Sequence, residues 1–311
     1  MTTSTAAPGA REHGRPRLLT GRYAIIYLFV LPAFVLRMLY SFIPLVQTVW
    51  LSLTNRSLVN PGAFVGLQNY QFALTRDKTL INSLGYTIAY TAASTILETV
   101  LGLGIAVLMM QRLRGRGFSN FVMLLPWVMA PLLAGVVWRV LYWEQSGLLN
   151  FMLLEAGLVD ELVRWLSDPA MARVSVIVLT VWKNVSWVAL IFMAALGSLS
   201  KEVLEAAAVD GANALQRFWY VTLPLLRPSI YLVLMLRGMA EVQTFEQILG
   251  LTQGGPGNAT RTLALYSYQR FFVELRYGYG SAINVLLLLL TVAIGGVFAW
   301  LLYRSGTRVA R

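Results

Sequence analysis

Residues 198–228 read SLSKEVLEAAAVDGANALQRFWYVTLPLLRP, a polar interruption between two long apolar runs. Ser200 is placed to cap a helix over 201–210, and Gly211 suits the left-handed backbone that ends such a helix. A second short helix is expected over 212–220, stopping before Leu223-Pro224, since proline cannot continue the hydrogen-bond ladder. Ala206, Ala207 and Ala208 leave the first helix a narrow, smooth surface that another backbone can approach closely. That is the shape of a docking element.

The flanking apolar runs are 174–196 and 225–251, and four more lie at 23–53, 84–110, 118–142 and 279–303. Each reaches the about 20 residues that a helix needs to cross a bilayer. The first carries Pro32, Arg37 and Pro44. It still inserts, because about fifteen strongly apolar residues at roughly −0.5 kcal/mol each outweigh one Arg at about +3 kcal/mol. Pro126 and Pro131 in the third are tolerated where neighbours satisfy the freed carbonyls, and Trp138, Tyr142 and Trp143 mark its interfacial end. Residues 144–172 are too charged to span, at Glu155, Asp160, Glu161 and Arg164, and read as short helices lying on the surface. The expected fold is all-α and polytopic, with six transmembrane helices, and no internal repeat is visible.

Composition agrees. Of 311 residues 57% are hydrophobic and only 13% charged, with a mean hydropathy of +0.64, which a soluble domain with a charged surface hardly reaches. The formal charge of +11 does not indicate nucleic acid, because the basic residues sit in short segments between apolar runs and act as topology signals. The absence of Cys excludes disulfides, thiolate metal sites and a Cys nucleophile. The single His13 lies in the N-terminal tail, which argues against a His-based catalytic or metal site. The sequon Asn258-Ala259-Thr260 is read as chance.

Residues 1–22 read as a basic tail and not as a signal peptide, since the apolar run after it is too long for an h-region. Its Arg11, Arg15, Arg17 and Arg22 share a face with Arg112, Arg114 and Arg116, with Lys201, Arg217 and Arg227, and with Arg304, Arg308 and Arg311. The opposite loops are richer in acid, at Asp77, Glu144, Glu155, Asp160, Glu161 and Asp168. Both termini and the 198–228 loop are therefore expected on the cytoplasmic side.

The 198–228 stretch resembles the EAA loop of permease subunits in binding-protein-dependent ABC importers. Glu205-Ala206-Ala207 is followed by Gly211 and then by Val221-Thr222-Leu223-Pro224, inside a loop before the penultimate span. Phe64-Val65-Gly66-Leu67-Gln68-Asn69-Tyr70 is similar to the "GL.NY" element of the maltose-type, first-subunit (MetI-like) branch. Leu251-Thr252-Gln253-Gly254-Gly255-Pro256 is similar to its "TGGGP" element, with Gln253 in place of the usual Gly. Ser200 stands where the family often has Pro. The resemblance implies a type I importer transmembrane domain over 23–311, in the bacterial inner membrane, with Glu205, Ala206, Ala207, Asp210, Gly211, Leu223 and Pro224 coupling to the ATPases. It implies a second permease, two ABC ATPase subunits and an extracytoplasmic binding protein as partners, and ATP and Mg bound on the ATPases with no cofactor on this chain. No G-x-x-x-x-G-K-[ST] phosphate loop occurs in the sequence, in keeping with energy supplied by a partner.

Arg37, Glu98, Lys183, Arg237, Glu241 and Glu246 lie within or near apolar runs, where each unpaired charge costs at least about 3 kcal/mol. One reading is a solute pathway. In it Trp182, Lys183, Asn184 and Trp187 on the fourth run face Arg237, Glu241, Gln243, Thr244, Phe245 and Glu246 on the fifth, with Trp182, Trp187 or Phe245 stacking on sugar rings. The other is structural ion pairing, for example Arg37 with Glu98 or Arg237 with Glu241. The function expected is a non-catalytic permease subunit importing a di- or oligosaccharide. The alternatives are a glycerophosphoryl or polyol solute on the same machinery, which Arg237, Lys183 and Arg37 could attract, or an ion-coupled secondary transporter using Glu98 and Glu241.

Overall fold

The computed structural model describes residues 21–111 and 116–309. The basic tail as far as Thr20, with His13, and also Arg112, Arg114 and Arg311 lie outside the described residues. Residues up to Thr48 and those from Val49 onward form two compact units. At the start of the chain α1 (Gly21–Arg37), a π-helical turn at Met38–Phe42 and α2 (Ile43–Ser52) follow one another, and Tyr27–Ser52 makes one apolar span.

The second unit carries α3 (Gln68–Thr75) and α4 (Lys78–Met109), a long span that begins six residues before the expected start. Asp77 caps it, its Oδ1 accepting the Leu80 N–H at 3.0 Å, so polar Lys78, Thr79 and Asn82 are drawn into the first turns. The bilayer inverts the usual burial rule on this helix. Ser83, Thr87, Tyr90, Ser94 and Glu98 are buried, whereas Ile81, Ile88, Ile96 and Val100 face outward. The hydroxyls of Thr87 and Thr99 are satisfied locally, each donating to the carbonyl four residues back at 2.7 Å.

The third apolar run is not one straight helix. It is α5 (Arg116–Val128) and α6 (Pro131–Leu141), bent by 97°. Pro131 causes the break, since it excludes the preceding Ala130 from the helical region, and Ala130 sits at φ −58°, ψ 133°. Residues 144–172 hold only one full helix of their own, α7 (Leu148–Glu155), tied down by the buried Asn150. Asn150 Nδ2 donates to the Glu144 and Val163 carbonyls, and its Oδ1 accepts from Val163 N–H and Trp165 Nε1. The fourth span, α8 (Pro169–Gly197), already starts within that segment, because Asp168 caps the N–H groups of Ala170 and Met171 and Pro169 fills the first helical position.

After α9 (Lys201–Val209) and α10 (Ala214–Arg217), a π-helical turn at Phe218–Thr222 leads into α11 (Leu223–Leu225), and the chain then bends by 63° into α12 (Arg227–Val242). α13 (Glu246–Leu251), α14 (Leu263–Tyr268), a third π-helical turn at Gln269–Val273 and α15 (Tyr277–Val309) complete the chain. The apolar run 225–251 is therefore interrupted at 243–245, which the sequence did not predict. Among the described residues four helices are long and apolar enough to cross a membrane, and the count becomes six when each bent pair forms one crossing.

α4 packs along α8, α12 lies against α4 and α15, and α6 packs on α13. The α6–α13 contact is backbone to backbone: a Cβ on Gly135 would collide with Gln247 O, and one on Gly250 would stand 3.1 Å from Gly135 Cα. Small residues at a helix crossing allow this approach, which supplies the association that apolar burial cannot supply in lipid.

Candidate functional site

The interruption at 243–245 opens a cleft of about 220 Å³. Gln243 N–H and Thr244 N–H bond three residues back, to Ala240 O and Glu241 O, closing α12 with a tight turn, and Phe245 adopts φ −141° before α13 begins. The Thr244 carbonyl freed by the break is bonded by Thr262 Oγ1 at 3.2 Å. Lys183, Asn184, Arg237 and Glu241 line the cleft from α8 and α12, and Gln243, Thr244, Phe245 and Glu246 line it from the break. Pro131, Ala240 and Gln247 complete the wall.

Arg237 forms the floor. Its Nε and Nη2 reach the two Glu98 oxygens at 2.7 and 3.2 Å, and Nη2 also donates to Glu241 Oε1. Glu241 accepts further bonds from Tyr90 Oη at 2.6 Å and from Asn184 Nδ2 at 3.2 Å. Gln247 Nε2 in turn donates to Thr180 Oγ1 and Tyr90 Oη, at 2.5 and 3.2 Å. One network thus joins α4, α8, α12 and α13. Every buried charge in it has a partner, the condition under which ion pairs persist away from water.

Lys183 is held differently. Its Nζ donates to the Trp127 carbonyl at 3.2 Å. That carbonyl lies four residues before Pro131, whose missing N–H leaves it without a helical partner, so the lysine closes a gap that the proline creates. Phe245 stacks on Tyr268 with ring centroids 5.1 Å apart.

Eight of the ten residues expected along a solute pathway meet at this cleft, and the two tryptophans do not. Trp182 stands edge-on to Trp138 at 5.2 Å, in the apolar cluster between α6 and α8, and Trp187 lies behind Arg237, whose guanidinium carbon is 5.8 Å from its ring. Of the two ion pairs expected, Arg237 with Glu241 forms, and the partner of Glu98 differs. Glu98 is paired with Arg237, because α12 packs directly on α4. Tyr90, Thr180 and Gln247 were missed. Tyr90 was legible as part of the polar stripe Tyr86, Tyr90, Ser94 and Glu98 at four-residue spacing on α4.

The 198–228 loop presents two short helices joined at Gly211. Ala212 N–H bonds Ala207 O and Gly211 N–H bonds Ala208 O, both at 3.1 Å, with Gly211 at φ +83°. This Schellman closure explains the four-residue spacing from Ala207 to the glycine. Ser200 occupies the cap position, but its hydroxyl bonds the Glu202 side chain and not the helix backbone. The second helix starts at Ala214 and not at 212, since Asn213 and Gln216 form a reciprocal capping box at 2.9 Å. It also runs past Leu223-Pro224. The π-helical turn widens the backbone just where Pro224 would otherwise meet the carbonyl four residues back. Glu205, Ala206 and Asp210 are exposed, Ala207 is half-buried, and Val209, Leu215 and Tyr220 present unusually bare apolar side chains, 87%, 67% and 79% exposed.

Residues 98–307 match the model of the binding-protein-dependent transport system inner membrane component family. The chain belongs to this family. It is an ABC transporter permease, a transport subunit that crosses the inner membrane several times. The permease is 32% identical to the trehalose/maltose transport system permease protein MalF of Thermococcus litoralis, over 88% of this chain and 91% of that protein. It is also 32% identical to the sn-glycerol-3-phosphate transport system permease protein UgpA of Agrobacterium fabrum, over 86% of this chain and 91% of that protein. Its fold is that of a chain in the crystal structure of a bacterial ABC transporter involved in alginate import, with a TM-score of 0.76 at 20% identity, covering 91% and 96% of the two chains.

Two further elements of the permease acquire physical reasons. In Gly66-Leu67-Gln68-Asn69-Tyr70, Gly66 takes φ +56°, Asn69 Nδ2 donates to Ser52 O and Thr54 O at 2.8 Å, and Tyr70 Oη bonds Ser52 Oγ at 2.6 Å. The element clamps the loop that leaves α2. In Thr252-Gln253-Gly254, Gln253 stands at φ +56° and Gly254 at φ +92°. Glycine adopts this backbone most easily, so Gln253 occupies a position that favours Gly.

Proposed function

We propose that this permease pairs with a second permease and moves a carbohydrate inward by alternating access, with the cleft at 243–245 on the solute's path. The observation that carries this reading is the cleft itself: side chains with hydrogen-bonding capacity, and an aromatic ring, collected at a helix break among apolar spans. Irregular backbone at membrane depth is tolerated where it lines a polar cavity. The similarity to a trehalose/maltose permease supports a saccharide, and the similarity to an sn-glycerol-3-phosphate permease supports a glycerophosphoryl solute as the second reading. Ion-coupled transport is set aside, as the family is that of ABC permeases and Glu98 and Glu241 are both engaged by Arg237.

In this reading the 198–228 loop is cytoplasmic, both termini lie on its side, and two ATPase subunits receive Glu205, Ala206, Ala207, Asp210 and Gly211, with Leu223 and Pro224 fixing the turn into α12. The exposed Val209, Leu215 and Tyr220 supply the apolar contact that such a partner covers. ATP and Mg act on the ATPases, and this chain carries no chemistry of its own. Closure of the ATPase pair draws the coupling helices together, and the rigid turn through α10–α12 passes the motion to the cleft. Reconstituted uptake of labelled saccharide, driven by ATP and a loaded binding protein, tests the assignment. Variants Gln243→Ala and Thr244→Val should reduce uptake while ATPase subunits still co-purify, and wild-type uptake in both would overturn it.

A further inference from the structure

The cleft holds charge of both signs, but the cations are not equally free. Arg237 is committed to two protein carboxylates and cannot turn to a solute without stranding Glu98 or Glu241 in a buried site. Lys183 has one bond, to a backbone carbonyl, and keeps two ammonium hydrogens for other partners. Opposite in sign is Glu246, exposed at the first position of α13, whose carboxylate has no hydrogen-bond or ion-pair partner among the described residues. Among the charged side chains that line the cleft Arg237 and Glu241 are bonded to one another, which leaves Lys183 and Glu246 as the charges a solute meets.

Building on the solute reading of this cleft, the geometry points to an uncharged polyhydroxyl solute, with Glu246 as the residue that excludes phosphate esters and other anions. A hydroxyl both donates and accepts, so a sugar uses Lys183 as donor, Glu246 as acceptor, and Gln243 and Thr244 as either. A phosphate finds one spare ammonium, meets repulsion from Glu246, and finds no free guanidinium for the bidentate contact that phosphate sites favour. The chain's similarity to permeases for both solute classes leaves this choice to the side chains present here.

The test uses the assembled permease–ATPase complex in nanodiscs without its binding protein, so that no other subunit selects the solute. Tryptophan fluorescence would follow titration with two matched pairs, trehalose against trehalose 6-phosphate and glycerol against sn-glycerol 3-phosphate. The neutral member of a pair should bind at least about tenfold more tightly than its ester. Glu246→Gln, an isosteric change at an exposed position, should narrow that ratio to about threefold or less by improving the ester. In wild type, raising salt should narrow it as well, since exposed charges are screened. Esters that bind as well as or better than their neutral partners, or a ratio unchanged by Glu246→Gln, would overturn the selectivity while leaving the cleft as a solute site. Absence of binding by all four probes would overturn the cleft reading itself, and this inference with it.

Discussion

Arg237 Nε lies 2.7 Å from Glu98 Oε2, across 139 positions of chain, and this bond fastens α12 to α4 immediately below the cleft. The arginine also holds Glu241 one turn further along its own helix, so one guanidinium is the shared partner of two carboxylates buried among apolar spans. Removing it while leaving both acids should be severe. Arg237→Met is expected to destabilise the complex by about 3–5 kcal/mol, the usual cost of stranding a buried charge. The triple variant Arg237→Met, Glu98→Gln, Glu241→Gln should recover most of that loss, because no charge is then left unpaired. Thermal unfolding of the purified complexes, compared across the single and triple variants, checks both halves.

The α6–α13 crossing makes a second prediction, on packing alone. Gly135 and Gly250 let two backbones touch, and neither has room for a side chain. Gly135→Ala should cost more than the roughly 1 kcal/mol or less that glycine-to-alanine exchange ordinarily gains in a helix, so the sign reverses. Gly135→Leu should prevent assembly of the break at 243–245 altogether. Yield of folded complex after detergent extraction would show the order wild type, then Ala, then Leu.

A third prediction concerns pH, at Asp77, just before the first residue of α4. Burial opposes ionisation of this carboxyl. Hydrogen bonds from Tyr266 at 2.6 Å and Tyr279 at 2.5 Å, from Leu80 N–H, and the charge of Arg270 outweigh it and hold the carboxyl below the usual aspartate value. A carboxyl depressed on folding contributes stability that is present above its unfolded value, about 3.9, and is lost as pH falls through its folded value. The melting-temperature gap between wild type and Asp77→Asn should therefore be full at neutral pH and should close only below about pH 4. A gap that persists unchanged to the lowest pH at which the complex stays folded would show that the charge contributes nothing.

The apolar runs, the charged residues of the cleft and the Gly211 closure were legible in the sequence, because each rests on local pattern: apolar length, intramembrane charge, and a glycine where φ must be positive. The break at 243–245 was not. Residues 239–247 contain neither Pro nor Gly, and the interruption is held by Thr262, 18 residues from the carbonyl it binds, with Gly135 and Gly250 allowing α13 to sit on α6. Tertiary contacts set it, and no local signal records them. The 97° bend was half legible, since Pro131 was identified but read as tolerated within one helix. The two tryptophans failed for different reasons. Trp182 neighbours Lys183 and so projects about 100° away from it around the helix. Trp187 shares the face of Lys183 but meets the cleft only through Arg237, which stands in front of it.

The last prediction separates coupling from folding. Gly211 sits at φ +83° with open space where a Cβ would stand, so a side chain there meets no neighbour at its first atom but forces a backbone that β-branched residues rarely adopt. Gly211→Val should unwind the Ala207–Ala212 closure and let the two helices of the loop lose their fixed angle. Because neither α9 nor α10 buries a residue, insertion and assembly of the spans should survive. Glu205→Lys, on the exposed face of α9, should act without strain by reversing the charge offered to the ATPases. In both variants uptake and solute-stimulated ATP hydrolysis should fall by at least about tenfold, while the cleft keeps its affinity for solute. Normal stimulation in both would remove the loop from the coupling path. Loss of solute binding together with loss of stimulation would instead place the damage in the fold, which the Gly211→Ala variant, less strained than valine at the same φ, should then partly relieve.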